Sequence, residues 1–446
     1  MSEHVPAPSS PLVSSDVLNN ISKKQTLTAI MASTVGWSLD LFDLFLLLYV
    51  APSVSKLFFP SDYPTLSLAG VYTAFAISCL VRPLGSVLFG SYADKHGRKK
   101  ALFVTMGGVG IITASLGALP TVQTVGMLAP VLFLFLRVLQ GLFVGGVTAS
   151  THTIGTETVP PSWRGWVSGL VTGGGGGLGA LLASFVFLII SSIFPGESFN
   201  QWGWRCMFFS GLLSAVFAII IFATLSETPF FVAMQKNKKS DAKPPIKAIF
   251  SKEYRTNTLL NLPIVFGAAG VYYLTAGYLP SFLEMVMHVP QQDTAKLLVL
   301  SSIAGVVSPL LVGQFSEKFG RRTAFIISSV ICIPLFLFFG FSTLKTMTDF
   351  SSMLMVAAAL SFVGNGIYAP VLIFLNERYP TRYRATGTGV CWNIGFSLGG
   401  LMPLLATTLS PTMDDIPQRL TILLVALCVL LILAALKSPE TRGNFE

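Results

Sequence analysis

Apolar runs of roughly twenty residues recur about twelve times along this 446-residue chain, each long enough to cross ~30 Å of hydrocarbon. They fall near 27–50, 66–90, 101–120, 127–153, 166–194, 205–225, 256–283, 296–315, 323–342, 352–376, 385–409 and 419–437. Lipid tolerates only helices or closed barrels, and these runs are too long for barrel strands. The expected fold is therefore an all-α polytopic membrane protein with twelve transmembrane helices. Charged residues make up 11% of the chain, against about a quarter in soluble domains, which fits this reading.

Lysine and arginine set the expected orientation. Lys23 and Lys24 precede the first run, and Lys95, Arg98, Lys99 and Lys100 lie between the second and third. Further basic residues crowd the middle segment and reappear as Lys318, Arg321, Arg322, Arg378, Arg382 and Arg384. Alternate loops carry few, such as Lys56, Lys296 and Lys345. Both termini and the central loop are thus expected in the cytoplasm, with the protein in the plasma (cell inner) membrane. The net charge of +9 follows from this bias, so no nucleic-acid partner is expected. Polar residues 1–26, with Pro and Ser, lack the apolar core of a cleaved signal peptide. The five cysteines, Cys79, Cys206, Cys332, Cys391 and Cys428, lie in or beside apolar runs without metal spacing. No cofactor, metal or catalytic constellation is expected.

The chain repeats itself. Gly90-Ser-Tyr-Ala-Asp94-Lys-His-Gly97-Arg98 returns as Gly313-Gln-Phe-Ser-Glu317-Lys-Phe-Gly320-Arg321, each a charged loop between apolar runs. Glu157-Thr-Val-Pro160 with Arg164 returns as Glu377-Arg-Tyr-Pro380 with Arg384. From Gly90 to Glu157 is 67 residues, and from Gly313 to Glu377 is 64. Two signatures in the same order and spacing imply duplication, a common origin of transporters. The expected organisation is a cytoplasmic tail (1–26), a six-helix bundle (27–229), a linker (230–254), a second six-helix bundle (255–437) and a tail (438–446).

From about residue 27 onward the chain resembles the major facilitator superfamily. The two glycine loops match its signature, Arg137-Val-Leu-Gln-Gly141 resembles its helix-4 motif, and Ser438-Pro-Glu-Thr-Arg-Gly443 resembles the closing motif of its sugar and metabolite carriers. Arg82-Pro-Leu-Gly, Trp202-Gly-Trp-Arg205 and Ser226-Glu-Thr-Pro229 resemble the metabolite:proton symporters. Gly36-Trp37-Ser-Leu-Asp40-Leu-Phe-Asp43 is closer to sialate and carboxylate carriers. The resemblance implies alternating access to organic acids or osmolytes, coupled to protons, with a monomer as the functional unit.

An ionisable side chain at mid-membrane is costly and needs a reason. Asp40 and Asp43 share one face of helix 1, and Arg137 on helix 4 lies at a similar depth. Either carboxylate could pair with Arg137; Asp43 is the first choice, because its place resembles the helix-1 aspartate of proton-coupled sugar carriers. One reading is a proton switch, since pairing and desolvation move a carboxylate's affinity for protons in opposite directions. The other is a permanent ion pair that only fixes helix 1 to helix 4. His152 could relay protons or simply pack. Arg82 on helix 2 suits a substrate carboxylate or phosphate through its planar fork, or it caps a neighbouring helix.

Trp37, Gln140, Tyr272, Tyr273, Tyr278, Asn365, Tyr368, Trp392 and Asn393 are expected to finish a substrate cavity. Gly90, Asp94, Gly97, Arg98, Glu157, Arg164, Gly313, Glu317, Gly320, Arg321, Glu377 and Arg384 form the expected cytoplasmic gate. Asp94 and Glu317 would latch that side, and Gly97 and Gly320 would allow the tight turns. Gly174, Gly176 and Gly179 have dinucleotide-motif spacing, but they sit inside an apolar run, where glycines serve close helix packing.

The function expected is proton-coupled symport of a small organic anion, a carboxylate in the first instance. The alternatives are proton-coupled uptake of an osmolyte, sugar or phosphate, a drug/proton antiporter, or a transporter-like receptor. Flux assays separate the receptor from the transporters.

Overall fold

The computed structural model describes residues 22–159, 167, 170–228, 232 and 249–442. Twelve of its helices are long and apolar enough to cross a membrane. In the first half these are α1 (Lys23–Tyr49), α2 (Pro64–Ala93), α3 (Arg98–Gly117), α4 (Leu128–Thr148), α5 (Gly175–Ile193) and α6 (Phe199–Thr224). In the second half they are α7 (Arg255–Val286), α8 (Gln291–Phe319), α9 (Arg321–Leu344), α10 (Phe350–Glu377), α11 (Thr386–Thr408) and α12 (Met413–Lys437). The expected linker at 230–254 lies mostly outside the described residues.

Local chemistry sets several boundaries. Helix α1 starts before its apolar run because Ser22 and Gln25 form a reciprocal cap, Gln25 N donating to Ser22 Oγ and Ser22 N to Gln25 Oε1. Helix α6 begins earlier than its apolar run through a π-helical turn at Phe199–Gly203. Two more π-helical segments, Tyr273–Gly277 and Phe282–Val286, interrupt α7. Such insertions re-aim the side chains around them, which a strict 3.6-residue period does not anticipate.

The chain reverses between α2 and α3 and between α8 and α9 at Gly97 (φ 104°) and Gly320 (φ 101°). Side-chain-bearing residues rarely adopt that backbone. Both turns lie on the face carrying the basic loops, called the basic face below. Where α5 meets α8, a Cβ on Gly177 would stand 2.7 Å from Val306 Cα, so the small residue sets how closely the two bundles approach. Helices α1, α7 and α10 are the most buried of the twelve. They carry Asp40 and Asp43 (α1), Tyr272 and Tyr273 (α7) and Asn365 and Tyr368 (α10).

Candidate translocation site

Asp40, Asp43, Arg82 and Arg137 are all buried. Asp43 is held by two side chains from other helices. Thr113 Oγ1, on α3, donates to its Oδ1. Gln140 Nε2, on α4, reaches its Oδ2 at 2.5 Å and Thr113 Oγ1 at 2.7 Å. The Gln140 oxygen accepts from Arg137 Nη1, one turn away on the same helix. The amide thus stands between acid and base, donating to one and accepting from the other. Arg137 and Asp43 are joined by this relay rather than by the direct ion pair expected from sequence. Gln140, expected among the cavity groups, belongs to the charge network.

Asp40 is in a different situation. Neither of its carboxylate oxygens has a hydrogen-bond partner, a costly place for an ionised group. The cation whose field reaches it is Arg82, whose Nε is also unpartnered. The two aspartates on one helix therefore look to different arginines.

Against these charges stands a box of rings drawn from both bundles. Trp37 of α1 meets Trp392 of α11 at 5.7 Å between centroids. Trp392 stacks on Phe396 at 5.0 Å, and Phe396 meets Tyr273 at 5.2 Å. Tyr272 packs on Tyr368 at 5.3 Å and on Phe45 of α1 at 6.0 Å. The hydroxyls of Tyr272 and Tyr273 and the Asn365 carbonyl oxygen are buried without partners. The charges of Arg82 and Asp40 both reach the two tyrosine hydroxyls. Unpartnered polar groups are expensive in a packed core. Of these, Asn365 lines a residual cavity of about 10 Å³ together with Phe45 and Tyr49.

Contacts between the bundles close the site on both sides. Towards the face opposite the basic loops, Tyr72 stacks on Tyr278 at 5.1 Å and donates to Ser281 Oγ at 3.0 Å. Tyr278, expected in the cavity, instead belongs to this closure. Nearer the midplane Ser397 Oγ donates to Cys79 O at 2.6 Å. Towards the basic face Asn393 Nδ2 lies 3.5 Å from Ser86 Oγ.

The expected gate residues of the second half form a clamp. Arg321, itself buried, donates to Glu317 Oε1 at 2.6 Å, to Glu377 Oε1 at 3.1 Å and to Ser316 Oγ at 2.9 Å. Thr441 Oγ1 donates to Glu377 Oε2 at 2.7 Å. Glu440 accepts from Arg321 N at 2.7 Å and Arg322 N at 3.1 Å, placing its charge at the N-terminus of α9. The first half repeats the device, Glu227 accepting from Arg98 N at 2.9 Å. The described partners of Glu317 all belong to the second half. Among the described residues the cluster thus ties α8, α9 and α10 to the C-terminal segment, with the Gly320 turn folding α9 back over the end of α8.

Gly90 and Gly313 face open space, and Arg384 Nε donates to Asn376 O at 2.9 Å. Arg164 lies outside the described residues, as do the side chains of Asp94, His152 and Glu157. Thr113, Phe396, Glu227 and Glu440 are the groups that sequence reasoning missed. The two glutamates carried a signal, since both sit in the short motifs that close the halves. Thr113 and Phe396 carried none.

Among the described residues, twelve helices long and apolar enough to cross a membrane surround a buried charge network and an aromatic box, the architecture of a polytopic membrane transporter. The major facilitator superfamily model matches residues 26–403, and the chain belongs to that family. It is 30% identical over 424 residues to the inner membrane metabolite transport protein YhjE of Escherichia coli (strain K12), covering 93% of this chain and 94% of that one. It is 29% identical over 430 residues to a proline/betaine transporter of Salmonella typhimurium, covering 93% and 84%. Against a citrate-proton symporter of Salmonella typhi the identity is 26% over 429 residues, covering 95% and 96%. Among solved structures, the D-xylose-proton symporter superposes with a TM-score of 0.71 at 16% identity, over 94% of this chain and 99% of that one. This last likeness concerns the fold.

Proposed function

We propose that the protein is a proton-coupled symporter for a small solute bearing a carboxylate, working from the inner membrane with its basic face in the cytoplasm. The observation that carries this is the placement of Arg82 and the unpartnered tyrosine hydroxyls beside a two-bundle aromatic box, with Asp40 at its edge and Asp43 one turn along the same helix. Arg82 would take the carboxylate through its planar fork. The rings would enclose the remainder. Asp43 would load and release the proton as the Gln140 relay makes and breaks its link to Arg137. Asp40 would answer to whether Arg82 is engaged by solute. A carboxylate arriving at Arg82 competes with Asp40 for one cation, which ties solute binding to the state of an acid. The carboxylate class agrees with the transported compounds printed in the names of the citrate and proline/betaine relatives.

The box favours a second reading within the same class. Rings converging from α1, α7, α10 and α11 suit a cationic nitrogen, through attraction worth about 0.5–2 kcal/mol. The solute would then be a zwitterion, a carboxylate with a secondary or quaternary ammonium. Proteoliposomes with a lumenal pH dye test both readings. Acidification by citrate or simple carboxylates supports the first, and by proline or betaine the second. A response to sugars alone, or Asp43→Asn vesicles behaving like wild type, overturns the proposal.

A further inference from the structure

Arg378 directly follows α10 on the basic face. It is only 6% exposed, yet Nε, Nη1 and Nη2 all lack a hydrogen-bond partner. Its described company is the Phe374 ring, 5.5 Å from the guanidinium carbon, and Asn257, whose amide donates to the Arg378 carbonyl at 3.2 Å. Leaving a buried cation without partners costs several kcal/mol by general estimates. The same face shows how this chain satisfies a buried arginine when the role is structural: Arg321 is met by two glutamates and a serine. Arg378 has nothing of the kind.

Its surroundings lead inward. The next residue, Tyr379, shares its hydroxyl with Thr258 at 2.9 Å and Cys391 at 3.3 Å. Asn261 donates to the same hydroxyl at 3.3 Å and keeps its own carbonyl oxygen unpartnered. Cys391 is followed along the helix by Trp392 of the aromatic box. The helical segment carrying both begins at Thr381, so the box lies ~17 Å up the axis at 1.5 Å per residue. Buried hydrogen bonds thus run from Tyr379, beside Arg378, to Cys391, beside Trp392 of the box.

We propose that Arg378 is a second anion-binding station, which takes the carboxylate of the transported solute as the bundles part on the basic face. This rests on the carboxylate reading above. An anionic lipid headgroup offers similar oxygen chemistry. The burial of the guanidinium favours a ligand that arrives from the interior.

The test uses full-length protein reconstituted in one orientation, with proline, betaine and citrate as probes, and measures KM separately from each face. Arg378→Gln should raise KM on the basic face roughly tenfold or more, the worth of a charge-assisted hydrogen bond, and leave the other face within about twofold. Arg378→Lys should recover part of the loss, since it keeps charge without the fork. Equal changes on both faces, or none in a variant whose thermal unfolding matches wild type, overturn the station. An effect that appears only in anionic lipid assigns Arg378 to a headgroup and overturns it too. Wild-type protein that moves none of the carboxylates overturns the parent reading with it, whereas a face-independent loss overturns the station alone.

Discussion

The two bundles descend from one pattern and differ in what they bury. The first keeps its polar investment as buried charge: Asp40, Asp43, Arg82 and Arg137, with Thr113 and Gln140 bridging. The second supplies most of the box (Tyr272, Tyr273, Tyr368, Trp392 and Phe396) and places its buried ion pair at the basic face. Both retain the capping glutamate after the last helix, Glu227 and Glu440. Duplication preserved what any such bundle needs to fold, and left the midplane free to diverge into buried charge in one half and aromatic rings in the other.

The sharpest way to break this comparison is Asp43→Asn. Gradient-driven accumulation should collapse to equilibration while solute counterflow persists, read as uptake with and without a pH gradient. Loss of both would mean that the first bundle also binds the solute through this residue. Next comes Arg82→Gln, which should raise KM roughly 10–100-fold for carboxylates, a charge-assisted pair removed, with only partial recovery in Arg82→Lys.

Gln140→Leu should follow. It strips both neighbours of the relay and leaves buried partners unpaired at ~1–3 kcal/mol, lowering Tm and the proton-to-solute ratio together. Gln140→Asn, one methylene too short to span Arg137 and Asp43, should behave alike; a normal ratio in both would dismiss the relay. In the second bundle Trp392→Ala should raise KM by roughly five- to tenfold for an ammonium-bearing solute, the scale of one cation–π contact, whereas Trp392→Phe should change it little. If Trp392→Ala instead alters the proton ratio, the division between bundles fails. The smallest effects belong to Glu227→Ala and Glu440→Ala, each costing ~1 kcal/mol as a lost helix cap. Thermal unfolding of the double variant should show the two losses adding, because the sites lie in separate bundles.

Much of the fold was legible in the sequence because the bilayer acts as a one-dimensional ruler. Apolar length alone placed the twelve spans, and misjudged boundaries where a polar cap extended a helix, as at Ser22 and Gln25, or a π-helical turn did, as at Phe199–Gly203. The glycine turns and repeated acids were legible too, since a positive φ restricts which residue can occupy the position. Individual members of the site were visible as costly groups, among them Asp40, Asp43, Arg82 and Arg137. Which of them meet was not. Hydropathy gives depth in the membrane, but not the rotation of each helix about its axis.

Tertiary packing decided those rotations. It set Gln140 between Arg137 and Asp43, brought the unremarked Thr113 onto the same carboxylate, and turned Asp40 towards Arg82. It also gathered rings from four helices into one box, with π-helical turns shifting the register of α7. By itself the sequence determined a duplicated twelve-helix membrane transporter and the price of its buried charges. Their pairing rests on contacts between helices far apart in the chain, where a rotation of one residue's worth (about 100° at 3.6 residues per turn) exchanges every partner.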